Sequence, residues 1–291
     1  MGQAFQATVI KQLDRDPGSN PGGRILPNLY FLYIQIKSMA GLSKDWIKFY
    51  DKTAIDRETA LGKNNFGKIG PIKIIGENGD RAWIETIKSR LKNGMRIIDI
   101  GCGTGIHLRE IHRATNKNVK MIGIDISPGM IKVAKNKSRK MKNLEFFVMD
   151  TYKTRFKDNY FDIVINRLGV KSNKEVFRIL KKGGYYFLFV TGRDDWKEMV
   201  KLFSFKKSDD LRFHKKLLKE AGFKITKIKK YSSAEYYKNV GSLAKTLDIV
   251  PFKPPFNRKK HLAKLKKYAV KHATPLGIES TQRRVIITCK K

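Results

Sequence analysis

Five short, mostly apolar runs recur through the middle of the chain, and segments with helical spacing of apolar positions separate them. Each run ends at a glycine or a polar residue. Runs bounded in this way are typical of strands buried on both faces, as in a parallel sheet covered by helices. The five predicted strands are residues 97–100, 119–124, 144–149, 160–165 and 185–190.

The remaining pattern extends this alternation towards the C-terminus. A strand is predicted at 223–231 and a last strand at 283–289, and the helices are predicted at 43–60, 81–91, 128–141, 209–221 and 258–271. A hairpin between the last two strands needs only a few residues, so residues 232–282 are an insertion. The fold class is therefore α/β, with a doubly wound, mostly parallel sheet and a C-terminal lid insertion.

The first strand is followed by a glycine-rich turn, Gly101-Cys-Gly-Thr-Gly105, and then by a helix. Glycines let the backbone turn tightly beside a ligand, and the free N–H groups of the helix face the same loop. The second strand is followed by Asp125, a carboxylate suited to ribose hydroxyls. Together these features indicate a nucleoside-cofactor site.

The spacing of the glycines separates the candidate cofactors. A dinucleotide site needs Gly-x-Gly-x-x-Gly, whereas this chain has Gly-x-Gly-x-Gly and Ile106. Asp99, beside the loop, would repel a diphosphate and suits a cationic ligand with an amino group. A glycine turn without a ligand is the alternative, and the later elements that follow in order count against it.

The segment Asp99-Ile-Gly-Cys-Gly-Thr-Gly105, with an acid after the next strand, resembles the class I S-adenosylmethionine (SAM) dependent methyltransferases, in particular the methyltransferase type 11-like family. Leu-Lys-Lys-Gly-Gly184 before the fifth strand is a frequent companion of that loop in the family. The resemblance spans roughly residues 80–231 and resumes at 283–289. It implies a Rossmann-like seven-stranded sheet with an antiparallel last strand, SAM as cofactor and methyltransferase activity.

Matching positions imply roles at the methionyl and ribose parts of the cofactor. Gly101, Gly103 and Gly105 would bring the backbone against the methionyl part. Asp99 would orient the loop and the ammonium group, although a carboxylate that only braces the loop is the alternative. Asp125 would accept both ribose hydroxyls.

Other matching positions surround the adenine and the reactive end. Met130 would pack on the adenine, although a methionine on a buried helix face is as often core. Asp150 would accept the exocyclic amine, with Thr151 or Tyr152 beside the ring; a surface-turn acid is the alternative. Asn166, after the fourth strand, would face the reactive end. The catalytic residue is left open, because the sulfonium already makes the methyl group electrophilic and no dedicated base is required. No metal site is predicted, because the two cysteines have no metal-ligand spacing and the five histidines are scattered.

The residues after the fourth strand reduce the number of acceptor classes to consider. Asn166-Arg-Leu-Gly169 lacks the prolines and aromatic residue of enzymes that methylate base amines, and neither Cys102 nor Cys289 is placed as a nucleophile for pyrimidine carbon. We therefore expect a small-molecule acceptor under the lid. The alternatives are an RNA methyltransferase and a non-catalytic SAM- or RNA-binding protein.

Charge keeps the RNA alternative open. The net charge is +36, and residues 201–291 hold 25 basic and 6 acidic side chains. A field of this size attracts polyanions. However, 45 of the 62 basic residues are lysine, as also expected from an AT-rich genome or the surface of a thermophilic protein.

The organisation expected along the chain has five parts. Residues 1–38 are a disordered or mis-annotated extension, with Met39 as the expected true start. Residues 39–95 form a helical cap region in which Tyr50 is a candidate cofactor contact, 96–231 the SAM-binding core, 232–282 the substrate-side insertion and 283–291 the last strand. Two cysteines, five histidines and no secretory signal predict a cytoplasmic protein without a membrane partner.

Overall fold

The computed structural model describes residues 44–61, 70–205 and 210–291. The predicted extension at 1–38, the expected start at Met39 and the first residue of the helix predicted at 43–60 lie outside the described residues. Contacts divide the chain after Ile47, and residues 48–291 form one compact unit that contains all the strands of the described ranges.

Nine helices lie within the described ranges: α1 (Lys44–Leu61), α2 (Gly79–Lys88), α3 (Ile106–Arg113), α4 (Pro128–Ser138), α5 (Asn173–Ile179), α6 (Lys197–Phe203), α7 (Leu211–Glu220), α8 (Val240–Ile249) and α9 (Arg258–Lys271). Side-chain caps explain several of their starts. The Ser127 hydroxyl accepts from Met130 N at α4, and Asn257 accepts from Lys260 N at α9.

The same ranges contain nine strands: β1 (Lys73–Gly76), β2 (Arg96–Ile100), β3 (Lys120–Asp125), β4 (Leu144–Val148), β5 (Phe161–Arg167), β6 (Leu180–Thr191), β7 (Lys224–Tyr237), β8 (Ala273–Thr274) and β9 (Gly277–Lys290). They form one sheet in the order β1-β7-β9-β6-β5-β2-β3-β4, with β8 paired to β9. Five neighbouring strands of the sheet, β6, β5, β2, β3 and β4, are parallel to one another. β9 runs antiparallel to both β6 and β7. The prediction of a doubly wound, mostly parallel sheet with an antiparallel last strand is confirmed, and β1 and β8 are additions to the seven predicted strands.

Both faces of β2, β3 and β5 are buried, as their apolar sequences require, whereas the edge strand β4 is exposed on one face, against the expectation of burial on both. One face packs Ile97, Ile163 and Phe187 against Trp83 of α2 and Leu108 of α3. The opposite face forms a second cluster that includes Ile98, Val164, Leu188, Val176 and Leu218. This burial fixes the register, so the polar residues after β2, β3 and β5 meet at one edge of the sheet.

The last two long strands extend beyond the parallel sheet. β6 pairs with β9 only as far as Thr191 and Arg284, whereas β7 pairs with β9 on to Tyr237 and Ile278. β7 and β9 are thus longer than the predicted strands at 223–231 and 283–289. Residues 238–276 between them carry α8, α9 and β8. A third apolar cluster, which includes Leu243, Leu265 and Tyr268, joins α8 and α9 to the β7–β9 extension.

Candidate functional site

The glycine loop lies between the end of β2 and the start of α3, and its glycines serve different needs. A Cβ at Gly105 would lie 2.4 Å from the Phe146 ring, so this glycine permits close packing of the loop on β4. A Cβ at Gly103 would meet nothing nearer than Met130 Sδ at 3.9 Å. Both have positive φ, 73° and 53° respectively, which disfavours other residues. The backbone at Gly103 is therefore open to a ligand.

Asp125 is fixed at the end of β3 by two backbone donors. Gly103 N donates to Oδ2 at 2.9 Å, and Ser127 N donates to Oδ1 at 3.0 Å. Each carboxylate oxygen retains a lone pair for a further hydroxyl. Burial raises the pKa of Asp125, while these donors and the nearby Arg57 act in the opposite direction. The two backbone donors thus orient the carboxylate, and its contact with ribose stays a prediction.

Asp99 is almost fully buried at the end of β2, and its Oδ1 has no hydrogen-bond partner among the described residues. Burial, and then the Asp125 carboxylate, raise the pKa of Asp99 to about 8. A cationic ligand group would compensate both effects and favour the ionised form. The residues present therefore fit the sulfonium and ammonium charges of SAM.

Asn166, near the end of β5, also has a buried side-chain oxygen, Oδ1, without a partner among the described residues. Its Nδ2 donates to the carbonyl of Ile100 at 2.5 Å, which fixes the amide against the end of β2. The structure thus places Asn166 against the end of β2 and beside Gly101, and the predicted roles of Asp99 and Asn166 at the cofactor stay predictions.

The three predicted adenine-side residues lie after β3 and β4. Met130 is buried at the start of α4, close to Gly103. Asp150 Oδ1 accepts from Tyr152 N at 2.8 Å, and Thr151 Oγ1 donates to the Val170 carbonyl at 3.0 Å. These bonds hold the turn in place, and contact with adenine stays a prediction.

Helix α1 contributes residues that the sequence analysis missed. Asp51 Oδ1 accepts from the Ser127 hydroxyl at 2.5 Å and from Gly129 N at 2.8 Å, at the start of α4. Glu58 pairs with Arg109 of α3 at 2.5 Å. The amphipathic pattern predicted this helix, but ion pairs over such separations leave no local signal in the sequence.

Tyr50 of α1 lies close enough to Asp125 to interact electrostatically with it. Burial is the main cause that raises the Tyr50 pKa; Arg57 lowers it, and Asp125 adds to the increase. Tyr50 is therefore within electrostatic range of Asp125, and its contact with a cofactor stays a prediction.

A second missed feature is a partly buried chain of ionic groups that joins the start of α2, the end of β5 and the middle of β9. Arg167 Nε donates to Asp80 Oδ1 at 2.8 Å, and Arg284 pairs with Asp195. Burial acts to raise the pKa of Asp80, but the guanidinium groups of Arg167 and Arg284 hold it below its usual value. Arg167 also acts on Asp99, so the chain reaches the cofactor edge.

A polar network lies under the insertion on the β7–β9 extension. Glu235 Oε2 accepts from Trp196 Nε1 at 2.9 Å and from the Tyr237 hydroxyl at 2.8 Å, while Oε1 accepts from Gln282. Three donors on one carboxylate satisfy it fully. The network fixes the extension on which α8 and α9 rest.

The described ranges lack two kinds of feature. No group of three or more His, Cys, Asp or Glu residues there is arranged to hold a metal ion. No helix there is long and apolar enough to cross a membrane.

Comparison with known proteins decides the identity of the core. Residues 91–222 match a family model described as a methyltransferase domain. This match agrees with the chemistry of the site at Asp99 and Asp125, which suits SAM. The chain contains a class I SAM-dependent methyltransferase domain. SAM is the cofactor of this domain.

Relatives and solved structures agree with that assignment. The domain is 28% identical over 142 residues to a demethylmenaquinone methyltransferase of Staphylococcus aureus, covering 45% of this chain and 59% of that protein. The structure of YcgJ from Bacillus subtilis matches with a TM-score of 0.55 at 18% identity, over 72% of this chain and 98% of that one. A phosphoethanolamine N-methyltransferase of Haemonchus contortus in complex with SAM has a TM-score of 0.51 at 20% identity, over 83% and 57%. The match thus spans about three fifths of the staphylococcal relative, and the solved structures share the fold.

Proposed function

We propose that this protein transfers the methyl group of SAM to a small-molecule acceptor. The observation that carries the proposal is the link between the insertion and the residues that precede the sheet. Arg57 of α1 donates to the Ile249 carbonyl of α8, and Gly70 N donates to Thr246 Oγ1 of α8 at 3.0 Å. Since Arg57 also interacts electrostatically with Asp125, this link supports a position of α8 near the proposed cofactor site, as expected around a small acceptor.

The relatives' names are consistent with this acceptor class. The staphylococcal relative is named for demethylmenaquinone and the Haemonchus protein for phosphoethanolamine, both small molecules. The absence of prolines and of an aromatic residue after Asn166 adds to this support.

The chain's own residues would bind, orient and exclude water. Asp125 holds the ribose, Asp99 and Asn166 face the charged end, and α1 with α8 covers the edge of the sheet. When bound, SAM supplies an electrophilic methyl group, so alignment with the acceptor is the main task of the protein. Good alignment is worth about 7–11 kcal/mol of the barrier.

The test incubates SAM labelled in its methyl group with the full chain and a substrate-depleted extract. Label in the small-molecule fraction is the expected result. Label confined to RNA or to protein would overturn the proposed acceptor class. Asp125→Asn should abolish incorporation, while Glu145→Gln, a half-exposed change on β4, should leave it unchanged.

RNA is the second candidate acceptor, and α9 favours it. Its exposed face carries six lysines with no ion pair to any described residue: Lys259, Lys260, Lys264, Lys266, Lys267 and Lys271. Burial, and then Lys260 and Lys264, lower the pKa of His261, which shows how closely these charges crowd. Label in RNA that is lost when these lysines are changed to glutamine would support this candidate.

A further inference from the structure

Arg57, in α1, is held from several directions. Its Nε donates to Thr53 Oγ1 at 3.1 Å, and a second guanidinium nitrogen donates to the carbonyl of Ile249, the last residue of α8. The guanidinium also lies 5.0 Å from the centre of the Tyr50 ring. An arginine fixed in this way keeps one orientation, because its planar group is matched on several sides.

The same guanidinium acts on Asp125. Arg57 counteracts the effect of burial on the Asp125 pKa, and Asp125 in turn counteracts the lowering of the Arg57 pKa by burial. One cation therefore contacts the insertion and also balances the ribose carboxylate.

The other groups around Asp125 make that balance necessary. Tyr50 faces it from α1, Asp99 from β2 and Cys102 from the glycine loop. None of these is a cation, and the two carboxylates disfavour each other's ionisation. Asp125 must be ionised to accept hydroxyls strongly, so a positive charge on the α1 side matters.

We propose that Arg57 is a positioning residue that couples the ribose end of the cofactor site to the insertion, keeping Asp125 ready for SAM and holding α8 over the site. This inference rests on the proposed function, because it assumes that SAM binds at Asp125. The coupling is reciprocal: cofactor that engages Asp125 stabilises the conformation of Arg57 that binds α8, and docking of α8 on Arg57 strengthens cofactor binding to the same extent. Occupancy of the donor site thereby orders the acceptor side.

The test measures SAM affinity by calorimetry between pH 6 and pH 9 for the wild type, Arg57→Gln and Arg57→Lys. Loss of the positive charge raises the Asp125 pKa, so Arg57→Gln should bind SAM about tenfold more weakly at pH 6 and within about threefold of the wild type at pH 9. Arg57→Lys keeps the charge and should restore the wild-type pH profile. Arg113→Gln, an exposed arginine of α3, is the matched control and should change nothing.

Hydrogen exchange supplies the second readout. SAM should slow exchange of the amides at 240–249 in the wild type and not in Arg57→Gln. If the wild type binds SAM and Arg57→Gln shows the same pH profile and the same protection of α8, the inference is overturned while the proposed function stands. If the wild type binds no SAM at any pH, the proposed function fails first.

Discussion

At the scale of single residues, the glycine loop shows that one motif serves two purposes. Gly105 is required by packing against Phe146, whereas Gly103 leaves the backbone open beside Met130. The sequence predicted all three glycines as cofactor residues. It could not separate them, because the distinction depends on a side chain of β4 about forty residues away.

The two glycines should therefore fail differently. Gly105→Ala forces a Cβ into the Phe146 ring and should lower the free energy of unfolding by about 2–4 kcal/mol. Gly103→Ala should cost only about 1 kcal/mol, for its positive φ, yet weaken SAM binding. Urea unfolding and calorimetry on both variants check this. Equal stability losses would contradict the assignment.

Asp99 should oppose stability and support binding. Its pKa is raised to about 8 by burial and by Asp125, against 3.8 for an ordinary aspartate, so the folded protein holds the proton more tightly than the unfolded chain. Stability should therefore fall as pH rises from about 4 to 8, and the loss should be complete above that range. Asp99→Asn should raise the melting temperature at pH 9, with little effect at pH 4, while weakening SAM affinity.

A melting temperature of Asp99→Asn equal to that of the wild type at pH 9 would contradict this assignment. Glu145→Gln serves as the control, since that carboxyl group is half-exposed on β4.

At the scale of elements, the sheet edge is held by ionic contacts between parts distant in sequence. The chain through Asp80, Arg167 and Arg284 joins α2, β5 and β9. Apolar periodicity predicted the core strands and both bounds of α9, because each pattern is local. It missed this chain of ionic groups and the extra length of β7 and β9, because paired charges and a polar strand extension produce no local apolar pattern.

Removing the central carboxylate of this chain should be costly. Asp80→Asn removes the carboxylate that binds Arg167, in a pair whose arginine side chain is 14% exposed, and should lower the free energy of unfolding by about 1.5–3 kcal/mol. Asp158→Asn breaks a surface pair with Arg178, where Asp158 is 69% exposed, and should cost less than about 1 kcal/mol. Denaturant titration of both variants at neutral pH compares them directly, and a similar cost for both would show that the chain is not a structural unit.

At the scale of the whole molecule, the lysines of α9 and the cofactor site belong to different parts of the fold. The site depends on the parallel strands, while the α9 lysines belong to the insertion. A net charge of +36 alone predicts weak binding to any polyanion. A functional RNA surface requires that the position of the charge, and not only its amount, decides affinity.

Two matched lysine-to-glutamine variants separate these cases. One changes Lys259, Lys260, Lys264 and Lys267 on α9, and the other changes Lys224, Lys227, Lys229 and Lys230 on β7. If RNA binding reflects net charge, both variants should lose affinity equally, with the same change in salt dependence. A loss confined to the α9 variant, measured by fluorescence anisotropy across salt concentrations, would favour RNA as acceptor over a small molecule.

The contacts of α1 also bear on the order in which the molecule assembles. Glu58 and Arg109 are 51 residues apart, Asp51 and Gly129 are 78 apart, and Arg57 and Ile249 are 192 apart. Contacts that close such long loops repay their entropy only after the intervening chain is ordered. Docking of α1 should thus be the last step of folding, and the site acquires its full set of polar groups only when that step is complete. A ligand that binds the complete site would then stabilise the docked position of α1.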